Sequence, residues 1–157
     1  MKKYLIENKE YTLEELIKTI VDFNNEIYAF WEENSLGWAP TLVSNLLSKS
    51  RLDWQKSLTN KLNYWNKTFL DIEYAELIFA WVNLGCLVEG TIKLALSVFK
   101  EDYLKSSDKI IKGKKISSPD EIELDRLRIF SNGKLWDKSS NWNDWILHIQ
   151  QRRKAIH

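Results

Sequence analysis

The stretch IEYAELIFAWVNLGCLVEGTIKLALSVF, residues 72–99, decides the fold. Its middle, Leu77 to Val88, runs for twelve residues without a charge and is bounded by Glu76 and Glu89. Crossing a bilayer takes about 20 consecutive apolar residues. The run therefore reads as the buried central helix of a bundle, and no membrane partner is expected. A continuous helix over residues 71–104 would measure about 51 Å, whereas a compact chain of this length is roughly 40 Å across. Such a helix either breaks, with Gly85 and Gly90 as candidate points, or projects into a partner.

Upstream of this segment, Thr12-Leu13-Glu14-Glu15 has the form of a capping box, with a hydroxyl at the N-cap and a carboxylate three residues on. Leu13, Leu16, Ile17, Ile20, Val21, Tyr28 and Trp31 then recur near the helical period until Asn34-Ser35-Leu36-Gly37 interrupts them. Pro40 suits the first turn of a short second helix carrying Leu42, Val43, Leu46 and Leu47. A third is expected from about Asp53, with Trp54, Leu58, Leu62 and Trp65 on one stripe.

Downstream, Lys105 to Ser118 is a polar connection in which Ile110-Ile111-Lys112-Gly113 suits a short hairpin. Ser118-Pro119-Asp120-Glu121 reads as a helix start, with an N-cap hydroxyl, proline at the first position and acids in the first turn. That helix would carry Ile122, Leu127 and Phe130 and end near Asn132-Gly133. The last helix opens around Asn141 to Asp144 and runs through Trp145, Ile146 and Ile149 to the final residue. The expected fold is all-α, a helical bundle with a long central helix, forming one domain over residues 1–157.

Composition agrees with a folded chain: 44% hydrophobic and 29% charged residues, with 5 Gly and 2 Pro, exclude disordered and collagen-like classes. The single cysteine, Cys86, can neither close an internal disulfide nor build a cysteine zinc site. A reducing cytoplasm is the expected location, because the N-terminus lacks the apolar run of a signal peptide. Net charge is +1, but residues 1–34 carry −4 and residues 128–157 carry +4. A basic end of this kind is ordinarily a solvated polar face; the sharper reading is an anionic partner.

Most reaction templates are missing. There is no glycine-rich phosphate loop, no nucleophile elbow and no His-Glu-x-x-His. The two histidines, His148 and His157, leave a metal site without ligands nearby, so neither metal nor cofactor is expected. Glu73, Glu76 and Glu89 lack the histidine one turn on that di-iron bundles use, and read as solvated or paired surface groups. Of the 8 tryptophans, Trp136, Trp142 and Trp145 cluster before the basic terminus. Aromatics at such spacing pack cores or interfaces more often than they stack bases, yet beside cations they suit either role.

The terminus itself reads Arg152-Arg153-Lys154-Ala155-Ile156-His157. It resembles the signature of the HEPN superfamily (higher eukaryotes and prokaryotes nucleotide-binding), compact helical proteins whose late helix carries an arginine, four to six residues, then a histidine. The motif covers six residues, and with the preceding Trp142-Asn143-Asp144-Trp145 pattern about sixteen. Family members usually carry Asn, Asp or His beside the arginine, where this chain has Arg153 and Lys154. Their helix also runs past the histidine, whereas this sequence stops at His157, so either the C-terminus is trimmed or a free carboxylate sits beside the imidazole. On an ideal helix Arg152 and His157 stand about 140° apart, while Arg153 and His157, and His148 and Arg152, are i, i+4 neighbours.

The resemblance implies a metal-independent endoribonuclease of bacterial defence or a toxin–antitoxin system. Arg152, Arg153 and His157 would be its catalytic residues. Lys154, with Lys112, Lys114 and Lys115 of the polar connection, would bind nucleic acid. RNA is then the partner, together with an antitoxin or regulatory protein and a second copy of the chain. That homodimer is expected to involve residues 136–157 and part of 71–104. The alternative is a non-catalytic relative that binds nucleotides or assembles with proteins.

Overall fold

The computed structural model describes residues 10–34, 51–68 and 72–154. The protein is all-α, with six α-helices and one two-stranded hairpin among these residues. Helix α1, Leu13–Asn34, opens on the expected capping box. The Glu15 amide donates to Thr12 Oγ1 at 3.2 Å, and the Thr12 amide donates to Glu15 Oε2 at 3.0 Å. The short helix expected at Pro40 to Leu47 lies outside the described residues.

Helix α2, Leu52–Thr68, packs on α1 and against α3, Tyr74–Val98. Its contacts pair Gln55 with Leu87 and Thr91, Leu58 with Asn83, and Tyr64 with Glu76, so α2 and α3 run antiparallel. The inward stripe of α2 differs from the one its apolar residues suggest. Trp54 is 58% exposed, with the Arg51 guanidinium 4.0 Å from its ring, while Gln55 and Thr59 are buried. The cause lies across the interface, at Gly90, where a Cβ would stand 2.3 Å from Gln55 Oε1. The bare Gly90 leaves room for the Gln55 amide, whose Nε2 donates to the Leu87 carbonyl at 3.1 Å.

Helix α3 runs unbroken through both glycines for 25 residues, about 37 Å. It ends at Phe99, where φ −95° and ψ 34° turn the chain into α4, Lys100–Lys105. The glycines are thus sites of close approach and not the break points expected of them. Beyond α4, strands β1 (Ile111–Lys112) and β2 (Lys115–Ile116) form the hairpin, with Gly113 at φ +65° in the turn. Tyr103, 2% exposed, anchors its base: the hydroxyl donates to the Ser117 carbonyl at 2.8 Å and accepts from the Ile110 amide at 3.2 Å.

The Ser118-Pro119 signal opens a single 3-10 turn, Pro119–Glu121, and the α-helix begins only afterwards as α5, Leu124–Ser131. In one continuous helix Ile122 and Leu124 would point about 200° apart. Extended backbone at Ile122 (φ −88°, ψ 133°) turns both inward, to 2% and 0% exposure. Helix α5 gives way at Asn132, Gly133 follows at φ +78°, and α6 spans Trp142–Arg153.

The core lies between the second half of α3 and α4–α6: Ile92, Leu96, Tyr103, Ile122, Leu124, Leu127, Phe130 and Ile146. The Tyr103 and Phe130 rings meet edge to face at 5.2 Å. The first half of α3 is far less covered, with Tyr74 at 88% and Phe79 at 61% exposure. Among the described residues α3 is one helix long and apolar enough to cross a membrane, and 22% of its most apolar 18-residue stretch is buried. Burial expected along the whole helix is thus confined mainly to its second half.

Candidate functional site

Helix α6 buries Ile146, Ile149 and Gln150, and Arg153 continues that face one turn on. Its stem crosses α3 at Gly85, where a Cβ would stand 2.5 Å from Arg153 Cδ. The guanidinium then reaches Glu89, with Nη1 to Oε2 at 2.8 Å, and Lys93 Nζ holds the other carboxylate oxygen at 2.7 Å. All three side chains are less than one-third exposed. Burial pushes the Glu89 carboxyl up, but hydrogen bonds from Lys93 and Arg153, with their charges, outweigh it and hold the group below its ordinary value. Gly85 is what lets this cation lie flat on the helix.

Arg152, one residue earlier and about 100° round the helix, is exposed, as is Lys154. His148 shares the outer side of α6, its ring edge-on to Trp81 at 5.4 Å between centroids. His157 lies outside the described residues. The two arginines of the motif therefore have opposite environments: Arg153 is paired and packed, whereas Arg152 forms no ion pair among the described residues.

Lys112, Lys114 and Lys115 are exposed on the hairpin. They are not brought to the α6 terminus. The hairpin hangs from Tyr103 beyond the end of α3, while Arg153 docks at Gly85, 13 residues before Val98 or about 20 Å along the helix. The tryptophans separate too. Trp136 packs against the core, but Trp142 and Trp145 stay 54% and 43% exposed and meet edge to face at 5.5 Å.

Sequence reading passed over Arg126, which stands on the outer side of α5 and lines two cavities. Its signal, a lone arginine between Asp125 and Leu127, is indistinguishable from any solvated helix position. Glu89 reads from sequence as solvated or paired; it is paired, and its partner lies 64 residues away. Among the described residues no three His, Cys, Asp or Glu side chains converge on one point. No family model matches this chain, and no curated protein or solved structure matches it either.

Proposed function

We propose that this chain is a HEPN-like, metal-independent endoribonuclease of bacterial defence or toxin–antitoxin type, acting in the cytoplasm as a homodimer. The observation that supports it best is the division of labour between adjacent arginines. Arg153 is consumed by Glu89 and fixes the end of α6 to α3, which leaves Arg152 and Lys154 presented to solvent beside it. In this reading Arg152 binds the scissile phosphate bidentately and His157 moves protons while the neighbouring 2′-hydroxyl attacks phosphorus. The 5′-oxygen leaves as an alcohol and a 2′,3′-cyclic phosphate remains. Arg153 acts as a positioning residue.

Dimerisation draws support from α3. Ala75, Phe79, Val82 and Cys86 form a stripe at helical spacing beside the Arg153 dock, and Phe79 and Cys86 are exposed. A second copy covering this stripe would bring two α6 termini together. A lipid partner is disfavoured because the Glu89–Arg153–Lys93 cluster places charge within the same helix, where it is costly in a bilayer.

The test is cleavage in EDTA. RNA should be cut to leave cyclic or 3′-phosphate ends while DNA survives, and His157→Ala should slow the reaction by about 10²–10⁴-fold. Equal rates for His157→Ala and wild type would reject the nuclease reading. The second reading, a non-catalytic HEPN-like module that binds nucleotides or assembles with proteins, is favoured by one observation: one of the two motif arginines already has a structural partner.

A further inference from the structure

The connection between α5 and α6 carries residues that the α6 terminus does not use. A cavity of about 590 Å³ opens there, lined by Arg126, Ile129, Phe130, Lys134 and Lys138, with Asp108 as its one acid. Asp108 is already committed, accepting from Lys134 Nζ and from the Ser107 hydroxyl, each at 2.8 Å. Arg126 and Lys138 form no ion pair among the described residues, so the cavity keeps an excess of two positive charges. The Lys138 stem lies across Gly133, where a Cβ would meet its Cε at 2.7 Å. Gly133 is held at φ +78°, its amide donating to the Trp136 carbonyl at 2.8 Å, and the turn it makes leaves room for this stem.

Four residues beyond Lys138 the surface changes from cationic to aromatic. Trp142 and Trp145 wall a cleft of about 280 Å³ with Ser140 and Asn141, and both indoles are about half open to solvent. Two acids stand on this stretch: Asp137, beside Lys134 and Lys138, accepts from the Ser139 amide and hydroxyl, each at 2.8 Å, and Asp144 lies at the N-terminus of α6, where the helix dipole offsets its charge. Neighbouring cations and half-exposed indoles are the two parts of a single-strand binding surface, one for the phosphates and one for base faces. The hairpin does not extend it: Lys112 shares a smaller cavity with Arg126, Glu121 and Glu123, where two acids balance the two cations.

We propose that this face is an accessory site for single-stranded nucleic acid, with phosphates at Arg126, Lys134 and Lys138 and unpaired bases on Trp142 and Trp145. Its choice of ligand rests on the RNA reading above, and it adds a specificity to that reading. A base inside a duplex has both faces covered by its neighbours, so the indoles accept only an unpaired one. The site lies ten residues before Arg152, about 15 Å along α6, so a strand held here extends toward the proposed cleavage end.

The full chain should be titrated in EDTA with a fluorescein-labelled oligodeoxythymidylate of about 12 nucleotides. This probe lacks the 2′-hydroxyl, so its binding is independent of cleavage. The Trp142→Ala, Trp145→Ala double variant should lose about 10-fold or more in affinity, and Trp→Phe replacements should restore most of it. Lys138→Ala or Arg126→Ala should bind more weakly and lower the slope of log affinity against log salt by about 0.7 each. A duplex of equal length should bind about 10-fold more weakly than the single strand. Thermal melting confirms that the variants fold, since the altered side chains lie outside the core. The proposal is overturned if wild type binds no oligonucleotide, if the Trp variants bind as wild type does, or if duplex competes equally. Self-association that depends on Trp142 and Trp145 without strand binding would also overturn it, marking a protein interface. A protein that binds the strand but cuts no RNA leaves this site standing and removes the nuclease reading alone.

Discussion

The first half of α3 is the more apolar in sequence, with Glu76 its one charge against Glu89 and Lys93 in the second, yet it is the less covered of the two. The second half delivers Ile92 and Leu96 to a core closed by Tyr103, Leu124, Leu127, Phe130 and Ile146. The first half meets α2 on one side and the end of α6 on another, and leaves Tyr74, Leu77 and Phe79 exposed. Between them stand Gly85 and the ion cluster of Glu89, Lys93 and Arg153. A run of hydrophobic residues thus specifies that a helix will be covered without specifying by what. Among the described residues one half is largely covered, and the other keeps an exposed apolar stripe.

Truncation should expose the difference most sharply. Leu127→Ala, at a fully buried position facing the second half of α3, should cost about 2–5 kcal/mol of unfolding free energy in a denaturant titration. Phe79→Ser, in the bare half, should change the stability of the dilute chain by about 0.5 kcal/mol or less. The same Phe79→Ser change should shift the oligomer measured by light scattering toward monomer. A monomeric wild type at micromolar concentration would remove the dimer from the account.

The boundary between the halves responds to pH. Glu89→Gln leaves Arg153 and Lys93 half-buried without their carboxylate, and should cost about 1–3 kcal/mol near neutral pH. Because the folded-state value of Glu89 is lowered, its stabilisation is fully present above the unfolded-state value. That stabilisation is lost as pH falls through the folded one. The gap between wild type and Glu89→Gln should therefore close on acidification, and a gap constant from neutral to acid pH would show that the pairing does not hold α6 in place.

What could be read from the sequence follows the range of the interactions involved. The capping box at Thr12 and the hairpin turn at Gly113 are local, each fixed by residues within a few positions, and both form as expected. The start of α5 is not local. Ser118-Pro119 satisfies every helix-start rule, yet the need to bury both Ile122 and Leu124 interrupts the helix after one turn. The inward face of α2 is likewise set from outside, by the missing Cβ of Gly90, and propensity carries no trace of it. At the candidate site, helix geometry alone favours Arg153 as the working arginine because it neighbours position 157. Its capture by Glu89, 64 residues away, reverses that preference. Arg126 and Lys138 acquire meaning only when the α5–α6 turn folds them beside a cavity.

The smallest stability effect in the series is also the most informative for function. Arg152→Ala removes an exposed side chain and should leave the denaturation midpoint within about 0.5 kcal/mol of wild type. Arg153→Ala should be destabilised by about 1–3 kcal/mol, since it removes one of the two cations on half-buried Glu89 together with the stem packed on α3.

The direct measurement is the rate of RNA cleavage in EDTA by these two variants beside wild type, each below its own unfolding transition. The account predicts that Arg152→Ala keeps its stability and loses about 10²-fold or more in rate, a loss typical of removing a donor to developing charge. Arg153→Ala should lose stability and retain most of its rate. Full activity in Arg152→Ala, or inactivity confined to a stably folded Arg153→Ala, would contradict the assignment of roles to the two arginines.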